Sequence, residues 1–162
     1  MHTEPSLSEI EAIYRRRGAD FLRFALARTG DLEQARDAVQ EGFANALRSR
    51  RSYRRSGALD AWIARCVINA AHDAWRVQAQ QPTAMDDADR AGFATVDVET
   101  ELVREAVRRL PQRQRDTLFL RFYLGLDYAA IAEALGVEIG TVSAALHSAR
   151  ASLADDLKEV VK

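Results

Sequence analysis

Leu59, Trp62, Ile63, Cys66, Val67, Ala70 and Ala74 recur at i, i+3, i+4 and i+7, with Trp75 at the margin of the pattern, a spacing that gathers the seven on one face of an α-helix and on neither face of a strand. Such a stripe has to be buried against other elements. Two similar stripes come before it. Ser8 with Glu11 makes a capping box ahead of Ile10, Ile13, Tyr14, Phe21, Leu22, Ala25 and Leu26. Gly30 suits the left-handed end of that helix, and Asp31 with Gln34 makes a second capping box before Ala35, Ala38, Val39, Phe43, Ala46 and Leu47. Only 8 Gly and 3 Pro occur in 162 residues, too few turn-formers for a sandwich of short strands. An all-α chain is expected.

The pattern then breaks. Val77 to Glu99 holds one basic residue, Arg90, against Asp86, Asp87, Asp89, Asp97 and Glu99, the composition of a flexible linker with a span of roughly 25 Å. Beyond it Leu102, Val103, Ala106, Val107 and Leu110 lead to Pro111, and Leu118, Phe119 and Phe122 mark a further helix up to Gly125. The expected organisation is therefore two small helical lobes, over 7–76 and 100–158, joined by an acidic linker over 77–99. The lone Cys66 excludes an internal disulfide and favours a reducing compartment. Neither a positively charged start with a following apolar stretch nor an apolar run of ~18 residues is present, so export and membrane insertion are not expected and a cytoplasmic location is.

Residues Asp127 to Leu153 read as a helix-turn-helix. Tyr128 to Leu135 makes the short first helix, with Ile131, Ala132 and Leu135 inward, and Gly136-Val137 makes the turn. The second helix, opening near Thr141, buries Val142, Leu146, Ala149 and Leu153, leaving Thr141, Ser143, Ala145, His147, Ser148 and Arg150 outward. In this motif the second helix enters the major groove of DNA. In the first lobe, Arg48, Arg50, Arg51, Arg54 and Arg55 surround Tyr53, the combination of phosphate neutralisation and a stacking face that single-stranded DNA needs. Asn69, His72 and Arg76 stand at i, i+3 and i+7 on the third helix and could form a DNA-facing edge. Trp62, Ile63 and Trp75 are expected to pack inward.

Three motifs in order carry a family resemblance. Leu110-Pro111-x-Arg113-Gln114-Arg115, Gly125-Leu126-x-Tyr128-x-x-Ile131-Ala132-x-x-Leu135-Gly136-Val137 and Gly140-Thr141-Val142 resemble region 4 of bacterial sigma factors of the extracytoplasmic-function group. Tyr14-Arg15-Arg16 with Phe21-Leu22-x-Phe24-Ala25, and Asp37-Ala38-Val39-Gln40-Glu41-x-Phe43, resemble region 2. Ala61-Trp62-Ile63-x-Arg65-x-x-x-Asn69-x-x-x-Asp73 resembles the segment that reads the -10 element. The match spans nearly the whole chain apart from the linker and the first few residues.

The resemblance implies an alternative sigma factor that binds RNA polymerase core, recognises and melts -10 DNA, and binds -35 DNA. It assigns Asp37, Val39, Gln40, Glu41 and Phe43 to core docking, with Phe43 also expected in the core of the lobe. Arg48, Arg50, Arg51, Tyr53, Arg54, Arg55, Arg65, Asn69, His72 and Arg76 go to -10 DNA, where the loop would capture a flipped base. Arg113, Arg115, Thr141, Ser143, Ala145, His147 and Arg150 go to -35 DNA. Relatives commonly carry Lys or Arg where this chain has Ser143, Ala145 and Ser148, so groove binding by the second lobe is expected to be weak. An anti-sigma partner is also implied.

Other classes fit less well. Cys66 and His72 do not face each other, no Gly-rich phosphate loop occurs, and neither enzyme activity nor a cofactor or metal is expected. Asp87-x-Asp89-x-Ala91-Gly92 opens like a calcium loop, but Ala91 and Val98 stand where ligands belong. A helix-turn-helix regulator that does not engage polymerase is the alternative, disfavoured by the first lobe. The net charge of -1 argues against nucleic acid only as a total. By segment the chain is +3 over 1–76, -4 over 77–99 and neutral over 100–162.

Overall fold

The computed structural model describes residues 4–54, 57–80 and 98–160, which form seven α-helices and a single 3-10 turn. The helices are α1 (Leu7–Thr29), α2 (Leu32–Ser49), α3 (Leu59–Ala79), α4 (Val98–Arg109), α5 (Gln112–Phe122), α6 (Tyr128–Leu135) and α7 (Ile139–Val160), with the 3-10 turn at Arg50–Ser52. They group into two compact units, one built on α1 to α3 and the other on α4, α5, α7 and most of α6. The chain is all-α among the described residues. Residues 81–97, which contain most of the expected linker and the calcium-like run, lie outside them, as does Arg55. Helix α3 continues past Arg76 to Ala79, and α4 already begins at Val98.

In the first unit the three helices each pack on the other two. The capping box of α1 sits two residues earlier than its sequence suggests. Ser6 is the N-cap, its Oγ accepting from Glu9 N at 3.2 Å while Ser6 N donates to Glu9 Oε2 at 2.8 Å. Ser6-x-x-Glu9 and Ser8-x-x-Glu11 overlap, and the earlier one adds half a turn of helix and seals Pro5 inside the unit. Gly30 closes α1 at φ 74°, and Asp31 Oδ1 accepts from Gln34 N at 2.8 Å to open α2. Gly42 admits α3: a Cβ there would lie 2.6 Å from Val67 Cα. The core gathers Ile13, Phe21, Phe43, Ile63 and Val67, all buried, with Phe43 edge-on to Tyr14 and Phe21 at centroid distances of 5.0 and 5.6 Å.

The second unit sets α4 and α5 against α7. Leu120, Ile131, Val142, Leu146 and Ala149 are its buried centre. Asp127 caps α6, its Oδ1 accepting from Ala130 N at 2.8 Å. Gly136, at φ 66°, ends α6 and lets Val137 N donate to Ala132 O at 3.0 Å, a closure that a side chain at that φ would strain. The axis turns by 101° between α6 and α7, the crossing a helix-turn-helix requires. Among the described residues no single helix is long and apolar enough to cross a membrane.

Candidate functional site

On α2 the structure separates what the sequence groups together. Asp37, Gln40 and Glu41 are exposed, whereas Val39 and Phe43 are buried. Phe43 is in the core as expected, edge-on to Tyr14 and Phe21 of α1, and Val39 is buried as well, so the exposed members of this group are Asp37, Gln40 and Glu41. The outward face is thus polar, with Glu33 one turn above Asp37 and Arg48 at its lower end. Arg48 Nη2 donates to Glu41 Oε1 at 2.7 Å and also to Asn45.

The described part of the basic stretch after α2 is held by local side-chain hydrogen bonds. Ser49 Oγ donates to Asn45 O at 2.6 Å and Ser52 Oγ to Ser49 O at 2.7 Å, bending the chain into its 3-10 turn. Tyr53 faces inward. Its ring lies 5.4 Å from that of Trp62 and its hydroxyl donates to Gly57 O at 2.6 Å. At 8% exposure it offers no face for a base to stack on, which corrects the expectation of an aromatic platform there. The phenol is more useful inside, where it staples the two ends of the loop. Arg50 Nε and Arg51 Nε lie 3.6 and 3.5 Å from Glu4 Oε2, and Arg54 is exposed.

Helix α3 carries the row that sequence spacing anticipates. At 100° per residue, Arg65, Asn69, His72 and Arg76 fall within an arc of about 60°. Arg65, Asn69 and Arg76 are exposed and His72 is half-buried. Arg76 Nη2 donates to Asp73 Oδ1 at 2.7 Å, an exposed pair worth little to stability. Opposite the row Ile63 is fully buried, and Trp62, on the flank of the row, is partly so. Trp75 departs from its expected inward role: it is 41% exposed, with the Arg28 guanidinium 4.3 Å from its ring centroid. That cation–π contact gives the ring a partner without a core position. At the other end of α3, Arg16 Nη2 donates to Asp60 Oδ2 at 3.1 Å, tying the helix start to α1. Cys66 is half-buried beneath Arg65, and burial pushes its thiol pKa up while the neighbouring arginine opposes the shift.

In the second unit, α7 starts at Ile139 rather than Thr141, because Glu138 O accepts from both Thr141 N and Val142 N. Counting from buried Val142, Leu146 and Ala149, the residues facing straight out are Ala144, His147, Ser148 and Ala151, all exposed. Thr141 and Ala145 flank them half-buried, and exposed Ser143 and Arg150 lie on the other flank, Arg150 reaching to 5.8 Å from the Phe122 ring centroid. Ala144 and Ala151 were not singled out from sequence, although a helical wheel built on the apolar stripe finds them. Arg113 is exposed, as a phosphate contact needs. Arg115 is half-buried, donating to Arg108 O at 3.3 Å and Gln112 Oε1 at 2.7 Å. Arg121 likewise fixes the turn before α6, donating to Leu126 O at 2.9 Å.

Residues 13–81 match the sigma-70 region 2 family and residues 100–153 the sigma-70 region 4 family. The chain is 34% identical over 146 residues to the ECF RNA polymerase sigma factor SigM of Mycobacterium tuberculosis, covering 89% of this chain and 74% of that protein. Its fold is similar to that of CnrH, solved in complex with the cytosolic domain of CnrY, with a TM-score of 0.72 at 20% identity over 95% of this chain and 90% of the other. A second similar structure is the sigma factor RpoE in complex with the anti-sigma factor NepR from Bartonella quintana. Its TM-score is 0.71 at 20% identity, covering 94% of this chain and 98% of that one.

Proposed function

Because the chain belongs to the extracytoplasmic-function sigma factors, non-enzymatic subunits that direct promoter-specific transcription initiation by RNA polymerase, we propose a division of that work among its exposed faces. The outward face of α2, with Asp37, Gln40 and Glu41, docks on the polymerase core. Carboxylates on a helix face steer and orient a basic partner more than they add affinity. The α3 row of Arg65, Asn69, His72 and Arg76 engages the -10 strand together with Arg48 at the end of α2, Arg50, Arg51 and Arg54 after it, and Arg55 next in the sequence. Helix α7 lies in the -35 major groove, presenting Ala144, His147 and Ser148 outward with Thr141 and Ala145 on one flank and Ser143 on the other, and with Arg113 and Arg150 toward phosphates.

The observation that carries this reading is the α3 row: Arg65, Asn69, His72 and Arg76 aligned on one arc, three of them exposed and His72 half-buried, on the helix that follows the basic turn. Tyr53 acts as the staple that shapes the turn. A cytoplasmic setting and an anti-sigma partner covering these faces belong to the same proposal, supported by CnrH and RpoE, both solved with partner proteins bound.

Run-off transcription with core polymerase on genomic fragments tests the assignment. The wild-type chain should initiate at discrete sites. Asp37→Lys with Glu41→Lys should lose both core binding and transcription, whereas Asn69→Ala with Arg76→Ala should keep core binding and lose transcription. The opposite split, with the α3 variant losing core and the α2 variant retaining it, would overturn the division.

A further inference from the structure

Glu4 is a charge that no local spacing connects to the basic turn, yet the fold brings it there. Its Oε2 lies 3.6 Å from Arg50 Nε and 3.5 Å from Arg51 Nε. The placement is anchored. Pro5, next along the chain, is fully buried, and the reciprocal bonds between Ser6 and Glu9 lock the first turn of α1 directly after it. Glu4 therefore projects from a fixed stub.

The contact is also imperfect in an informative way. Oε2 is shielded from water but makes no hydrogen bond with either guanidinium, since both separations exceed the ~2.7–2.9 Å of a charge-assisted bond. Arg51 is 88% exposed and so has room to turn toward another anion. A phosphodiester carries the same single charge on two outward oxygens, suits the guanidinium fork, and gains counterion release on binding. An ion pair without hydrogen bonds cannot match that once a strand is held nearby by other contacts.

We propose that Arg50 and Arg51 form a site for one backbone phosphate of single-stranded DNA, and that Glu4 occupies it in the free protein and is displaced when the strand arrives. This rests on the assignment of the basic turn to the single strand. The carboxylate acts as an intramolecular competitor: it lowers the affinity for any stray strand and yields to one delivered by the α3 row.

The test uses the full-length chain, alone and bound to core polymerase, titrated with a fluorescein-labelled oligothymidylate strand and followed by anisotropy. Glu4→Gln should bind about three- to fivefold more tightly than wild type at low salt, and the gap should close as salt rises. Glu4→Lys should bind more tightly still. Adding Arg50→Ala and Arg51→Ala to Glu4→Gln should erase the gain. If Glu4→Gln only lowers the thermal midpoint and leaves affinity unchanged, while Arg50→Ala with Arg51→Ala weakens binding, the turn binds DNA but Glu4 is a structural fastening and the proposal fails. If neither substitution set alters affinity, the assignment of the turn fails with it.

Discussion

Helices α3 and α7 are nearly equal in length, 21 and 22 residues, and each buries one stripe and turns another outward, but the outward chemistry is opposite. On α3 the outward row ends in two arginines, an asparagine and a histidine. On α7 the centre of the outward face is Ala144, His147, Ser148 and Ala151. Long charged groups reach phosphates from a distance and supply affinity with little sequence information, whereas short side chains let a helix backbone sit close to base edges but contribute little Coulombic attraction. Under the proposed division of work, the first unit would hold DNA and the second would fit it.

The largest expected effect follows from the first half of that contrast. Arg65→Ala with Arg76→Ala removes two long cations from the α3 row and should cost about 2 kcal/mol of promoter binding, or roughly 30-fold in open-complex formation on holoenzyme. Ser143→Ala with Ser148→Ala on α7 should stay within about threefold in the same assay. Equal losses from the two pairs would break the contrast, since α7 would then be contributing through hydrogen bonds as much as α3 does through charge.

An intermediate effect comes from giving α7 what it lacks. Ala144→Arg places a cation at the centre of its outward face without touching buried Val142 or Leu146. Binding of duplex promoter DNA by the holoenzyme should tighten about fivefold at low salt, and the slope of log affinity against log salt should steepen by about 0.9, one phosphate's worth. A tighter complex with an unchanged slope would mean that the gain is not a phosphate contact, and a weaker one would mean that Ala144 is needed small.

Why α3 and α7 were legible from sequence while other parts were not comes down to the range of the forces involved. Stripes, caps and the turn glycines are encoded within a few residues, so Asp31, Gly30, Asp127 and Gly136 all act where local chemistry puts them. Ser6 and Ser8 are locally equivalent caps, and burial of Pro5 decides between them. Tyr53 sits among arginines and reads as a solvent-facing ring, but its partner Trp62 and acceptor Gly57 lie across the loop. Trp75 falls on the edge of its stripe, where only the approach of Arg28 from another helix settles which way it turns. Val39 shows the same limit for the candidate site: motif membership placed it with Asp37 and Glu41, while the helix register set it inward.

The smallest expected effect uses the single cysteine, which reports on the first unit alone. Burial raises the Cys66 thiol pKa above its ordinary value, against the smaller opposing influence of Arg65. The folded chain therefore holds this proton more tightly than the unfolded chain does. That contribution to stability is complete below the unfolded thiol's pKa of about 8.5 and is lost as pH rises through the raised folded value. Wild type and Cys66→Ala should accordingly show parallel thermal midpoints from neutral pH to about 8, and wild type should fall more steeply beyond 9. Iodoacetamide should modify Cys66 slowly near neutral pH, because the thiolate is scarce and half-covered. In the Cys66→Ala background, Ala144→Cys on α7 should react at the rate of a free thiol and be protected by duplex promoter DNA bound to the holoenzyme. Fast alkylation of Cys66 near neutral pH would show that α3 opens readily and that the first unit does not hold its outward row preorganised.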